Sequence, residues 1–141
     1  MAVIKGKAFW AAITKPNTRY DPIYSINLIV SDEIANQFAK NGFRVKKQNE
    51  GLAVIIERKV NGPNGMVRPA PKLYDKDNNL IDEMIGNGSY VAVQYNEYRG
   101  VSENGPYQGL DLMAVKILNK IEYDTSQQIQ NEKNELLDVN D

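Results

Sequence analysis

The sequence predicts a mainly β fold in which five short strands and one short helix close into a small barrel, and three observations predict it. Apolar and polar residues alternate at period two in several stretches, the pattern of a strand with one buried and one wet face. Turn chemistry punctuates those stretches: Asn49-Glu50-Gly51, Asn61-Gly62-Pro63-Asn64-Gly65 and Gly86-Asn87-Gly88 supply residues that accept positive φ or fix it. After Ser31 comes one segment with the start, stripe and stop of a helix. Strands so spaced, with one helix, point to a closed Greek-key barrel of the OB type, with an open β-sandwich as the alternative.

The organising strand follows the turn at Gly86. Val91, Val93 and Tyr95 share one parity, while Tyr90, Ala92, Gln94, Asn96 and Tyr98 share the other, and Arg99 ends the strand before Gly100. A polar face with two tyrosines and a guanidinium at its edge suits the stacking of unpaired bases. Taken in order, residues 3–13 form the first strand, with Lys5, Lys7 and Phe9 on one face and Ile4, Ala8 and Trp10 on the other. Gly6 in that strand marks a close approach or a bulge. Residues 15–22 hold two prolines and form a loop, and 24–30 form a second half-buried strand. Ser31 caps a helix with Asp32 and Glu33 in its first turn, an apolar stripe at Ile34, Ala35 and Phe38, and an end at Asn41-Gly42.

Residues 43–47 make a basic strand or arm, and 52–60 another strand. The stretch from Arg68 to Tyr74 is extended but not central in a sheet, because Pro69 and Pro71 lack ladder donors. Residues 75–79 turn the chain back, 100–109 form a polar loop containing Tyr107, and 110–121 form the last strand. The chain therefore divides into a body, 1–121, and a tail, 122–141, rich in Gln, Asn, Glu and Asp.

Composition narrows the chemistry. A chain of 141 residues has room for one domain with one core. It has no cysteine and no histidine, which removes disulfides, thiolate zinc sites, thiol nucleophiles and the usual general base together. Any catalysis would rest on carboxylates, lysine or tyrosine, so a non-enzymatic protein without cofactors is expected. No apolar run approaches the ~20 residues of a membrane span, and no long apolar leader opens the chain, which implies a cytoplasmic protein. The net charge of −1 splits into +4 on the body and −5 on the tail.

Three local patterns fail as chemical sites. Asp75-x-Asp77-x-Asn79 begins like a calcium loop but has Leu80 where glycine is needed and Gly86 in place of the closing glutamate. Asn87-Gly88-Ser89 is a turn that happens to spell a glycosylation sequon. Asp82-Glu83 beside Asp75 and Asp77 would be the nearest thing to a nuclease metal site. The broader signal is basic: Lys5, Lys7, Lys15, Arg19, Arg58, Lys59, Arg68, Lys72 and Arg99 are spread through the body. Among them stand Phe9, Trp10, Tyr20, Tyr74, Tyr95, Tyr98 and Tyr107, and together these residues are the candidate nucleic-acid surface. Against that, lysines solvate surfaces and aromatics fill cores. Trp10 and Tyr95 have core parity and leave the core only if a bulge turns them out.

Several segments resemble a known family. Lys15-Pro16-Asn17, then Tyr24-Ser25-Ile26-Asn27-Leu28-Ile29-Val30, then Ile85-Gly86-Asn87-Gly88-Ser89 leading into Val91-Ala92-Val93-Gln94-Tyr95, look like the single-stranded DNA-binding proteins of short-tailed phages. Gly109-Leu110 and the acidic terminus agree, and the similarity keeps its order over most of residues 1–121. It implies an OB fold, sequence-tolerant binding of single-stranded DNA in replication, recombination and repair, and often a homodimer. It also implies that the tail contacts the replicative DNA polymerase and the primase-helicase, here through Glu132, Glu135, Leu136, Leu137, Asp138, Val139 and Asp141. Tails of that family commonly end in an aromatic residue, whereas this one ends in Asp141. An RNA-binding OB or cold-shock-like module is the first rival reading, and a small metal-dependent nuclease the second.

Overall fold

The computed structural model describes residues 2–121. Seven strands and one helix follow in chain order: β1 (Ala2–Asn17), β2 (Ile23–Val30), α1 (Asp32–Lys40), β3 (Val45–Gln48), β4 (Gly51–Lys59), β5 (Lys72–Tyr74), β6 (Ser89–Ser102) and β7 (Gly105–Asn119). They form one sheet in the order β3-β4-β2-β1-β6-β7-β5. A parallel bridge between Glu57 of β4 and Asp111 of β7 joins the sheet to itself. β1, β2, β4, β6 and β7 thus make a closed five-stranded barrel, with β3 added to β4 and the three-residue β5 added to β7. The prolines before Lys72 hold β5 at the margin, as their missing N–H groups require.

Alternation decides what lines the interior. Tyr24, Ile26 and Leu28 of β2 face inward beside Val54 and Ile56 of β4, and Val91, Val93 and Tyr95 of β6 join Leu110, Leu112, Val115 and Ile117 of β7. The buried parity of β7 changes between Leu112 and Val115, where the pairing with β6 slips by one residue. β1 does the same. Ile4 and Ala8 are buried, but beyond Phe9 the register with β2 shifts and the inward residues become Ala11 and Ile13. The bulge therefore sits at Trp10, at φ 52°, a left-handed conformation that is strained for so bulky a residue. Gly6 is instead a close approach: a Cβ there would overlap the Ile29 carbonyl oxygen across the β1–β2 pair.

Two further expectations need correction. Residues 100–109 are not a loop, because β6 and β7 run on through them as a paired ribbon with Ser102 opposite Gly105. Arg99 consequently lies inside a strand rather than at its end. On α1 the buried residue is Ala35, while Ile34 is 39 % exposed; Phe38 supplies the larger contact, edge-on to Phe43 and Tyr95 at 6.0 Å from each ring centre. The Ser31 hydroxyl accepts from the Ile34 N–H, as a helix cap should.

Candidate nucleic-acid interface

Past Tyr95 and Leu110, the β6–β7 ribbon leaves the core and contributes no further buried residue. On one of its sides Tyr98 stands opposite Gly109, and Tyr107 stands opposite Gly100. A Cβ at Gly109 would overlap the Tyr98 hydroxyl and Cζ, and a Cβ at Gly100 would overlap the same atoms of Tyr107. Each ring therefore lies across the bare backbone of the partner strand, with its other face outward. Tyr98 is 46 % exposed and Tyr107 52 %. On the opposite side Arg99 pairs with Gln108 through a side-chain hydrogen bond. The Gln108 amide donates to the Asn41 carbonyl at 2.6 Å, and the Arg99 guanidinium lies 5.5 Å over the Phe43 ring. That side is clasped to the end of α1.

The tyrosine side opens on a groove of about 580 Å³. Its walls are Asn96, Glu97 and Tyr98 of β6, Tyr107 and Asp111 of β7, Glu57, Arg58 and Lys59 at the end of β4, and Arg68. Arg58 is fixed by Asp111: Nε donates to one carboxylate oxygen at 2.9 Å and Nη2 to the other at 2.8 Å. Nη1 reaches the Pro69 carbonyl at 3.1 Å. The hydrogen bonds to Asp111 raise the guanidinium above its usual value, although burial opposes them. Arg58 thus serves first to pin β4 to β7. Burial, and then the negative charges of Glu57 and Asp111, push the Tyr98 phenol up, so it stays neutral beyond the ordinary tyrosine range. Three cations face three carboxylates among the lining residues, so the groove has no net formal charge.

The predicted surface residues do not gather at one place. Arg58, Lys59, Arg68, Tyr98 and Tyr107 meet in the groove. Lys5, Lys7, Lys72 and Tyr74 lie on the outer face of the sheet β1-β6-β7-β5. Phe9 and Trp10 sit together at the β1 bulge with ring centres 6.5 Å apart, neither packed into the core, and the Trp10 backbone N–H donates to Asn87 Oδ1 at 2.9 Å. Lys15, Arg19 and Tyr20 are exposed around the β1–β2 connection, with the Arg19 guanidinium 5.6 Å from the Tyr20 ring centre. Tyr95 is buried to 7 % exposure and offers no stacking surface, and Arg99 belongs to the clasp on the other side of the ribbon. The residues assigned to the tail lie outside the described residues.

The candidate surface omitted Asn96, Glu57, Glu97 and Asp111 in the groove and Lys116 on the sheet face, whereas Tyr90, assigned by parity to the same polar face as Tyr98, does stand on that sheet face. The parity of Asn96 with Tyr98 was the available signal for the first. The Asp75 carboxylate is engaged within its own turn: one oxygen accepts from the Asn79 and Asp77 N–H groups at 2.9 Å each and the other from the Asn79 side-chain amide at 3.2 Å, and these bonds, the Asn79 N–H foremost, lower its pKa. Glu83 pairs with Lys120 at 2.9 Å. Among the described residues no three acidic side chains converge on a common point.

The closed five-stranded barrel with one helix has the architecture of the OB type. No family model matches the chain, and no curated protein does. Solved structures do match its fold. The gp2.5 single-stranded DNA-binding protein encoded by bacteriophage T7 superposes with a TM-score of 0.59 at 14 % identity, covering 87 % of this chain and 89 % of that one. The single-stranded DNA-binding protein from bacteriophage Enc34 gives 0.59 at 14 % identity over 88 % of each chain. The same Enc34 protein in complex with ssDNA gives 0.60 at 13 % identity over 86 % and 88 %.

Proposed function

We propose that this chain is a non-enzymatic, sequence-tolerant single-stranded DNA-binding protein. The observation that carries the reading is the pair of tyrosines laid over Gly109 and Gly100, which present ring faces to an open groove. Stacking on such faces is indifferent to base identity, because every base has a π-face. Lys59 and Arg68 stand where phosphates would pass. The fold is shared with two phage proteins named for binding single-stranded DNA, which supports the same ligand here. The corresponding cellular role is in phage DNA replication, recombination and repair.

Competition among single-stranded DNA, duplex DNA and RNA at stated salt tests this. A single strand of DNA is expected to win. For about four neutralised phosphates, log K is expected to fall with log salt at a slope of roughly −3. Equal affinity for duplex, or a flat salt response, overturns the reading, and a clear preference for RNA replaces it with the RNA-binding one.

The tail extends the proposal. Residues 122–141 carry −5 against a +4 body and are tethered to it, so they compete weakly with DNA as an intramolecular polyanion. DNA displaces them and frees them for replication partners such as the polymerase and primase-helicase. Truncation after Tyr123 is expected to raise single-strand affinity, most at low salt. Superimposed salt curves for the two chains remove the competition.

A further inference from the structure

The groove stacks bases but is charge-balanced, so a polyanion held there needs positive charge from elsewhere. Along β6 the outward row continues without a break from Tyr98 and Asn96, which line the groove, to Gln94, Ala92 and Tyr90. Both register slips with β7 place the extra residue on β7, so β6 keeps one outer face from end to end. Across that face the register builds flat rows. Lys5, Ala92, Lys116 and Tyr74 lie side by side on β1, β6, β7 and β5. The row beyond holds Lys7 and Tyr90. On the groove side, Val3, Gln94, Ala114 and Lys72 form the preceding row.

The floor is small and neutral, Ala92 and Ala114 beside Gln94, and lysines stand on both sides of it. With strands about 4.8 Å apart, the flanking strands β1 and β5 lie roughly 14 Å from each other. No carboxylate lies in these rows; Asp75 follows Tyr74 at one rim, where its charge interacts with Lys116, and Asp111, held by Arg58, stands opposite Asn96 at the groove end. Tyr90, 41 % exposed, offers an aromatic face at the far end.

We propose that this lysine-flanked sheet face is a second segment of the polynucleotide path. A single strand that stacks its bases in the groove continues over Asn96 and Gln94 and lays its phosphates between Lys5 and Lys7 on one side and Lys72 and Lys116 on the other. The inference rests on the proposed single-strand binding and divides it between two places. The groove supplies stacking and the sheet face supplies charge, joined by about 27 Å of β6 from Tyr98 to Tyr90. Self-association through this face is disfavoured, since two copies would set lysines against lysines.

Two oligothymidylates, about 5 and about 16 nucleotides long and near the ends of the range that one OB barrel covers, separate the segments. They are titrated against the full chain, the Lys5→Gln/Lys7→Gln variant, and a Lys40→Gln/Lys46→Gln variant that removes equal charge from α1 and β3. The short oligomer is expected to bind the full chain and both variants within about twofold. The long oligomer is expected to bind the Lys5→Gln/Lys7→Gln variant at least fivefold more weakly, with the salt slope shallower by about 1.4 for the two lost phosphate contacts. Its binding to the Lys40→Gln/Lys46→Gln variant should stay within twofold. Equal losses in the two variants, or equal losses for the two oligomers, overturn the second segment. A face reserved for the chain's own acidic tail gives the other sign, with long-oligomer affinity unchanged or raised, and that also overturns it. Failure of the unsubstituted chain to bind either oligomer is a separate result and counts against single-strand binding itself.

Discussion

On one side of the β6–β7 ribbon Tyr98 and Tyr107 stand opposite glycines, whereas on the other Arg99 and Gln108 stand opposite each other. The difference decides what each side can do. A ring opposite glycine has bare backbone to lie on, so it flattens and keeps one face free. Two long polar side chains opposite each other have no such bed and reach sideways, to the Phe43 ring and the Asn41 carbonyl. The clasped side holds the ribbon still, and the open side displays aromatic surface. Preorganised display of this kind spares a ligand the cost of ordering the side chains that meet it.

Tyr95→Ala draws the sharpest line along β6 and has the largest expected effect. Burying an aromatic ring as Tyr95 does makes its removal cost about 3–5 kcal/mol of fold stability, read from denaturant unfolding. The doubly substituted Tyr98→Ala/Tyr107→Ala chain, altered only a few residues further along the ribbon, is expected to stay folded. It should lose about 2–6 kcal/mol in single-strand binding, at about 1–3 per ring, and retained affinity would break the assignment of the open side. Gly109→Ala tests the bed rather than the ring. Its new Cβ collides with Tyr98, so the ring has to lift, and a loss of about 1 kcal/mol in binding is expected with the ring still present. If that variant binds like the parent, the flat pose is irrelevant. Arg99→Ala should give the smallest change. An exposed cation–π contact is worth about 0.5–1 kcal/mol, so thermal unfolding falls slightly while affinity holds.

The same comparison shows how far the sequence could be read. The inward row Val91, Val93, Tyr95 was legible because β6 carries no bulge and its alternation is clean. The ribbon beyond it was not, since Gly100, Gly105 and Gly109 among polar residues look like a loop until each of Gly100 and Gly109 is seen to lie under a tyrosine. That pairing is a property of register, and local composition does not carry register. β1 shows the complementary difficulty. Its parity assigns Trp10 to the interior, but one extra residue reverses the parity and Ala11 turns inward instead. Arg58 was legible as basic, whereas its commitment to Asp111, more than fifty residues later, follows from barrel closure alone.

That closure has a mechanical consequence. Among the described residues the ring is joined at β4 and β7 by a single paired position, Glu57 with Asp111, reinforced by the Arg58–Asp111 side-chain bonds. Elsewhere neighbouring strands of the ring share registers of five or more residues. The seam is therefore where the cylinder opens at least cost, and the groove lies directly over it. A ligand bridging the β4 end to the ribbon sutures that seam and favours the closed form by mass action. Amide exchange near Glu57 and Asp111 is accordingly expected to slow when the groove is occupied, more than at the β1–β2 or β2–β4 pairs, so the barrel's own breathing becomes a gauge of occupancy.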